Sequence, residues 1–131
     1  MTSAELHVAL SISSFSCAPR SITEALGVTP TETWLEGDPI GSGTQKWRFN
    51  GWRMRAPTNA GDGLADKLAW LIRALPSTFS PIGRVSKSWE VELAVTAYLR
   101  GMAPELHIDS QHMVQLTAWG AAVDIDIILI E

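Results

Sequence analysis

Three stretches of this chain alternate apolar and polar residues with a period of two, and no other feature limits the fold as tightly. Along Glu5 to Phe15, Leu6, Val8, Leu10 and Ile12 point one way while His7, Ala9, Ser11 and Ser13 point the other. In "SWEVELAVTAYLRG", Val91, Leu93, Val95 and Leu99 share one face and Glu92, Ala94, Thr96 and Tyr98 the opposite one. In "AVDIDIILI", Val123, Ile125, Ile127 and Leu129 line up against Asp124, Asp126, Ile128 and Ile130. Successive strand residues face opposite sides of a sheet, so each stretch reads as a strand with one face half-buried against helices.

Between these strands lie helix signals. "RSITEALG" sets Ser21 three residues before Glu24, a capping-box pattern, and ends on Gly27. It presents Ile22, Leu26 and Ala25 inward. "GDGLADKLAWLIRALP" carries Leu64, Leu68, Leu71, Ile72 and Leu75 within a narrow helical arc, with Asp62 able to cap its start and Pro76 to stop it. Trp70 falls to the flank of that arc. Ser80-Pro81 starts a further helical turn through Ser86, and Ser110 reads as the N-cap of a helix through Trp119 that stops at Gly120.

Two more extended pieces complete the pattern. Thr31 to Leu35 is short and leads into a Gly/Pro-rich loop from Gly37 to Thr44. "QKWRFNGWRMR" reads as a strand with a defect. Trp47 and Phe49 share a parity that Trp52 and Met54 reverse, so a bulge at Gly51 is expected. The order strand, helix, strand, strand, helix, strand, helix, strand predicts an α+β fold of β-α-β-β-α-β-α-β type. Its helices cover one face of a mainly antiparallel, ferredoxin-like sheet with an appended C-terminal helix and strand.

Composition narrows the function classes. The 131 residues suit one domain, 1–131, and 46% hydrophobic with 18% charged is globular. No apolar run approaches the ~20 residues of a membrane span. Ten Lys plus Arg against fourteen Asp plus Glu, net charge −4, argue against a nucleic-acid partner. One cysteine, Cys17, excludes an internal disulfide and suits a reducing compartment; at the end of a strand it reads as core filler. Glu5, with no Lys or Arg before the apolar residues, does not match a signal peptide, so a cytoplasmic location is expected.

The helix "SITEALGVTPT", the following "TETWLEGDP", Gly51-Trp52 and the terminal "LTAWGAAVDIDIILI" occur in this order and at these spacings. Together they resemble the bacterial family designated domain of unknown function 4279, from about residue 9 to the end. The segment from Gly41 to Phe49 and the region from Pro76 to Lys87 depart from the family pattern. The resemblance implies a one-domain α+β protein with no assigned activity, and it carries over no catalytic residues.

Candidate sites follow from the same strands. In "TPTETWLEGDPI", Thr33, Trp34, Gly37 and Asp38 could line a pocket, but the spacing suits scaffold roles better. Pro30 fixes the helix exit, Trp34 plugs the core between sheet and helices, and Gly37-Asp38-Pro39 makes a turn. Gly51 and Trp52 also read as structural. Asp124 and Asp126 put two carboxylates on one strand face, ~6.5–7 Å apart by the rise per residue, a spacing inverting glycosidases also use. In the expected sheet, His7, Arg53, Arg55, Glu92 and Tyr98 share that face, with Ile128 and Ile130 beside them.

"HIDSQH" offers His107, Asp109 and His112, but a fourth metal ligand is missing from the pattern, so neither a metal nor a cofactor is expected. Lys46, Arg48, Arg53 and Arg55 interleave with Trp47, Phe49 and Trp52. On one strand, though, cations and aromatics would point to opposite faces, against base stacking. No phosphate-binding glycine loop, G-x-S-x-G or C-x-x-C is present.

The reading is a small acidic protein-binding or ligand-binding module that self-associates through its open sheet face, with a protein partner as the other occupant. The alternative is an enzyme, a hydrolase using Asp124, Asp126 and His7. A catalytic cleft would push one carboxylate toward neutrality, whereas an interface would be flat.

Overall fold

The longest alternating run becomes the central strand of a five-stranded sheet. The computed structural model describes residues 3–75, 90–101 and 105–130. β1 (Ser3–Phe15) pairs antiparallel with β3 (Asn50–Arg55) on one side and with β4 (Glu90–Arg100) on the other. β2 (Glu32–Trp34) flanks β3 antiparallel, and β5 (Ala121–Leu129) flanks β4 in parallel, giving the order β2-β3-β1-β4-β5. The helices are α1 (Pro19–Leu26), α2 (Leu64–Ala74) and α3 (Ser110–Trp119). The fold is α+β and consistent with a ferredoxin-like arrangement. Its sheet is mixed because the crossover through α3 returns the chain parallel to β4.

The period-two pattern sorts the side chains as expected. Leu6, Val8, Leu10 and Ile12 of β1, Trp52 and Met54 of β3, and Val91, Leu93, Val95, Ala97 and Leu99 of β4 are buried on one face. The helices close over it with Ile22 and Leu26, with Leu64, Leu68 and Leu71, and with Leu116 and Trp119. Trp52 is fully buried, and its indole N–H donates to Thr23 Oγ1 at 3.1 Å, tying α1 to β3. Trp70 packs half-buried against this core, as does Cys17. Ala25 is exposed.

Several boundaries differ from expectation. α1 begins at Pro19, whose fixed φ suits a first helical position, so Ser21 lies inside the helix and the N-cap is Ala18. α2 starts after Gly63 with no side-chain cap from Asp62. α3 is capped by Asp109, which accepts the His112 N–H at 2.8 Å, one residue before the expected Ser110. The stop at Pro76 and the turn from Ser80 to Ser86 lie outside the described residues.

The bulge moves to the neighbouring strand. β3 starts at Asn50, and Lys46 to Phe49 belong to a loop. The register shift falls on β1 between Ser13 and Phe15, with Ser14 at φ 66°. That extra residue flips Phe15 into the core. The parity change in "KWRFNGWRMR" marks the end of a strand.

Candidate functional site

The face of the sheet away from the helices is built from cross-strand rows that the registers fix. One row runs Glu32, Arg53, Ser11, Glu92, Ala122 from β2 to β5. The next runs Trp34, Gly51, Ser13, Glu90, and on the other side lie Arg55, Ala9, Ala94, Asp124 and then His7, Thr96, Asp126. Small side chains occupy the middle of these rows and large ones the flanks. The face is therefore a groove with a floor of Ala, Ser and Gly.

Trp34 belongs to this face and not to the helix-side core, which corrects the sequence-based assignment. Its register partner is Gly51, and a Cβ built on Gly51 would fall inside the indole, against Cε2 and Cζ2. Glycine is required here because the ring lies directly on the backbone. Thr33, the neighbour on the opposite face, is exposed at the sheet edge. The loop after β2 then folds back over the open face. Asp38 Oδ2 accepts the Leu35 N–H at 2.9 Å, Gly37 at φ 92° donates to the Trp47 carbonyl at 2.8 Å, and Trp47 N–H donates to the Asp38 carbonyl at 2.9 Å. This corner, the turn expected at Gly37-Asp38-Pro39, sets the Trp47 ring on Trp34, with centroids 4.2 Å apart and planes 20° from parallel. Arg53 caps the Trp34 ring at 5.0 Å.

The result is a groove of about 580 Å³ that brings Trp47, Phe49 and Trp34 to one side and Glu90 and Glu92 to the other, over Ser11 and Ser13. Trp34 is 7% exposed, and its indole N–H is enclosed without a hydrogen-bond partner among the described residues. A second hollow of about 260 Å³ continues past Arg53 and Glu92 to His7, Arg55, Asp124 and Asp126.

The electrostatics of the groove are acidic. Arg53 is engaged by Glu32 at 2.6 Å and by Ser11 Oγ at 3.1 Å. Glu92 is left among like charges. Partial burial raises its carboxyl above the ordinary carboxylate value; Asp124 adds to the rise, Arg53 opposes it, and Glu90 and Asp126 raise it further.

Of the residues expected on this face, His7, Arg53, Glu92, Asp124 and Asp126 converge on the second hollow. Tyr98 stands beyond it, edge-on to His7 at 5.5 Å, and His7 Nε2 is paired with Glu5 at 3.0 Å. Sequence reasoning missed Trp47, Phe49, Glu90, Ser11 and Ser13 as groove residues. A single strand through this segment would put Trp47 and Phe49 on the face opposite the cations, whereas they share the groove with Arg53. The signal was present in the small residues Ala9, Ser11 and Ser13 at outward parity, which is where a concave floor would show.

The "HIDSQH" segment does not gather ligands. Asp109 is committed to the α3 cap, with His112 Nδ1 at 3.6 Å, and the described residues hold no cluster of three or more His, Cys, Asp or Glu. Among them, too, no helix is long and apolar enough to cross a membrane.

Residues 4–129 match the family model described as domain of unknown function DUF4279, and the chain belongs to that family. No curated protein and no solved structure gives a match.

Proposed function

We propose that this family member is a ligand-binding module whose open sheet face takes a small organic cation, an amine or guanidinium carrying a flat apolar portion. One observation supports this reading above others: a groove with aromatic rings on one wall faces carboxylates on the other, and its central cation is already neutralised. Trp47 is half-buried and Phe49 is 39% exposed, so both have ring surface to offer. Glu90 and Glu92 stand opposite, and Arg53 is held by Glu32. A cation there relieves the repulsion among Glu92, Asp124 and Asp126, and a flat group stacks on Trp47. The same negative field disfavours phosphate, and with it nucleic acid. The compartment proposed is the cytoplasm, on the strength of the unpaired Cys17.

Titration with tryptamine, agmatine and the anion indole-3-acetate, followed by tryptophan fluorescence and calorimetry, tests the proposal. The two cations should bind and the anion should not. Glu92→Gln should weaken cation binding by about tenfold, the value of one charge-assisted contact. Equal response to the anion, or none to either cation, overturns it.

A second reading, the hydrolase, has one observation in its favour: the Glu92 carboxyl is the one pushed toward neutrality, as a general acid requires. Product formation from a bound molecule, lost in Glu92→Gln, would carry that reading. Binding without turnover leaves the binding module.

A further inference from the structure

We infer that two copies of this chain join edge to edge through β5, in antiparallel register about a two-fold axis centred on Ile127. β5 is the last strand of the sheet, so one of its edges has no ladder partner among the described residues. Ile130 N–H donates to the Leu99 carbonyl at 2.8 Å. Because successive peptide groups alternate sides, even-numbered residues of β5 bond to β4, while Val123, Ile125, Ile127 and Leu129 aim their N–H and C=O groups at the free edge. The strand is nine residues long and has no proline or bulge to protect its edge; its two charges, Asp124 and Asp126, stand on the open face of the sheet.

Its apolar side chains are exposed as well. Val123 and Ile125 are each 42% exposed, Ile127 56%, Ile128 41% and Leu129 76%. Their alignment with Leu93, Val95, Ala97 and Leu99 puts the odd-numbered ones on the helix side of the sheet. With Ile127 on the axis, residues 125–129 of the two copies lie opposite one another, which withdraws Ile125, Ile127 and Leu129 and the edge backbone between them from water.

Charge and overlap select the register; a two-fold centred on Ile128 opposes no like charges but pairs only residues 127–129 of β5. A two-fold centred on Ile125 sets Asp124 against the partner's Asp126, and one centred on Asp126 sets that residue against its own copy. Both place like charges opposite each other in a ladder. Centred on Ile127, the pairing sets Ile127 against the partner's Ile127, Ile125 against the partner's Leu129, and Asp126 against the partner's Ile128. Each of the odd-numbered pairs then has its N–H and C=O groups correctly aimed for exchange. The occupant that fits both the ladder and the charges is a second copy. The groove stays open in this dimer, because the new strand extends the sheet sideways and does not cover its face. Self-association expected from the sequence is thus moved from the sheet face to the sheet edge.

Sedimentation of the full chain across the micromolar range should show a mass rising from one copy to two, and Ile127→Lys should hold it at one with unchanged circular dichroism. In a Cys17→Ser background, Ile127→Cys should cross-link on mild oxidation. Directly opposed residues of a hydrogen-bonded antiparallel pair have Cα atoms ~5.5 Å apart, within disulfide reach. Ile125→Cys should not cross-link, since its own copy lies four residues away along the ladder, ~13 Å at the rise per residue. A monomer throughout the range, or cross-linking by Ile125→Cys in preference to Ile127→Cys, overturns the inference. Cation binding by the groove is unaffected in either case.

Discussion

Replacing Gly51 by alanine tests the packing that shapes the groove. The added methyl falls inside the Trp34 indole, so it is the ring or the backbone that must yield. Trp34 is 93% buried, the complement of its 7% exposure. A buried tryptophan removes about 150–250 Å² from water, worth roughly 4–6 kcal/mol at ~25 cal/mol per Å². Lifting the ring off the strand re-exposes about half of that area, a loss of ~2–3 kcal/mol. Against it, alanine in a strand interior recovers ~0.5 kcal/mol over glycine. Gly51→Ala should therefore destabilise the fold by about 2 kcal/mol, with Cm falling in urea and the m value unchanged.

The diagnostic measurement is a double-mutant cycle. In a Trp34→Ala background the obstruction is gone, and Gly51→Ala should become neutral or stabilising by ~0.5 kcal/mol. The two changes should couple by about 2–3 kcal/mol, far above the ~0.5 kcal/mol scatter of independent sites. A Gly51→Ala cost that is the same in both backgrounds would refute the reasoning, because it would mean that glycine serves the backbone and not the ring.

Three smaller effects follow from other contacts. Thr23→Val strands the buried Trp52 indole N–H, which Thr23 Oγ1 now accepts at 3.1 Å, and should cost about 1–2 kcal/mol by urea denaturation. Ser14 sits at φ 66° in the bulge of β1, so Ser14→Gly should gain ~0.5–1 kcal/mol, read as a higher Tm; the lost Ser14–Glu90 contact at 3.3 Å is exposed and weak. Glu92 has its carboxyl value raised in the folded state, so its folded form binds the proton more tightly and stability falls as the pH rises through that value. Glu92→Gln should raise Tm at about pH 7, with the gain vanishing at about pH 3, where glutamate is protonated folded or unfolded; equal Tm gains at both pH values would contradict it.

The strand order and the core were legible because period two is a strong signal wherever one face is buried. Leu6 through Ile12 and Val91 through Leu99 bury as their alternation requires. β5 carries the same pattern, yet Val123, Ile125, Ile127 and Leu129 remain exposed. Alternation reports which side chains share a face and is silent on whether anything covers it. Helix starts shifted by one to three residues because Ala18-Pro19 and Asp109 are alternative starts beside Ser21 and Ser110, and local spacing alone does not choose between them.

The groove was half legible. Its acidic side follows from parity on β4 and β5, which is why Glu92, Asp124 and Asp126 were anticipated together with Arg53 and His7. Its aromatic side was hidden, because a loop and a strand can both carry W-x-F, and the choice depends on a contact distant in sequence. That contact is Trp47 on Trp34, closed by the hydrogen bonds between Gly37, Asp38 and Trp47.

The stretch from Thr29 to Ile40 and the glycine at which a bulge is expected are thus parts of one device. Gly51 leaves room for Trp34, Trp34 carries Trp47, and the Gly37-Asp38 corner holds Trp47 in place. Each is a scaffold residue by its contacts, and together they form the wall that faces Glu90 and Glu92. A structural role and a binding role are therefore not rivals at these positions. Any substitution that loosens the stack should weaken cation binding in proportion to the stability it removes, while Glu92→Gln should weaken binding and raise stability at neutral pH. That opposition of sign separates the wall of the groove from the charge it presents, and it would be absent if Glu92 were merely another support.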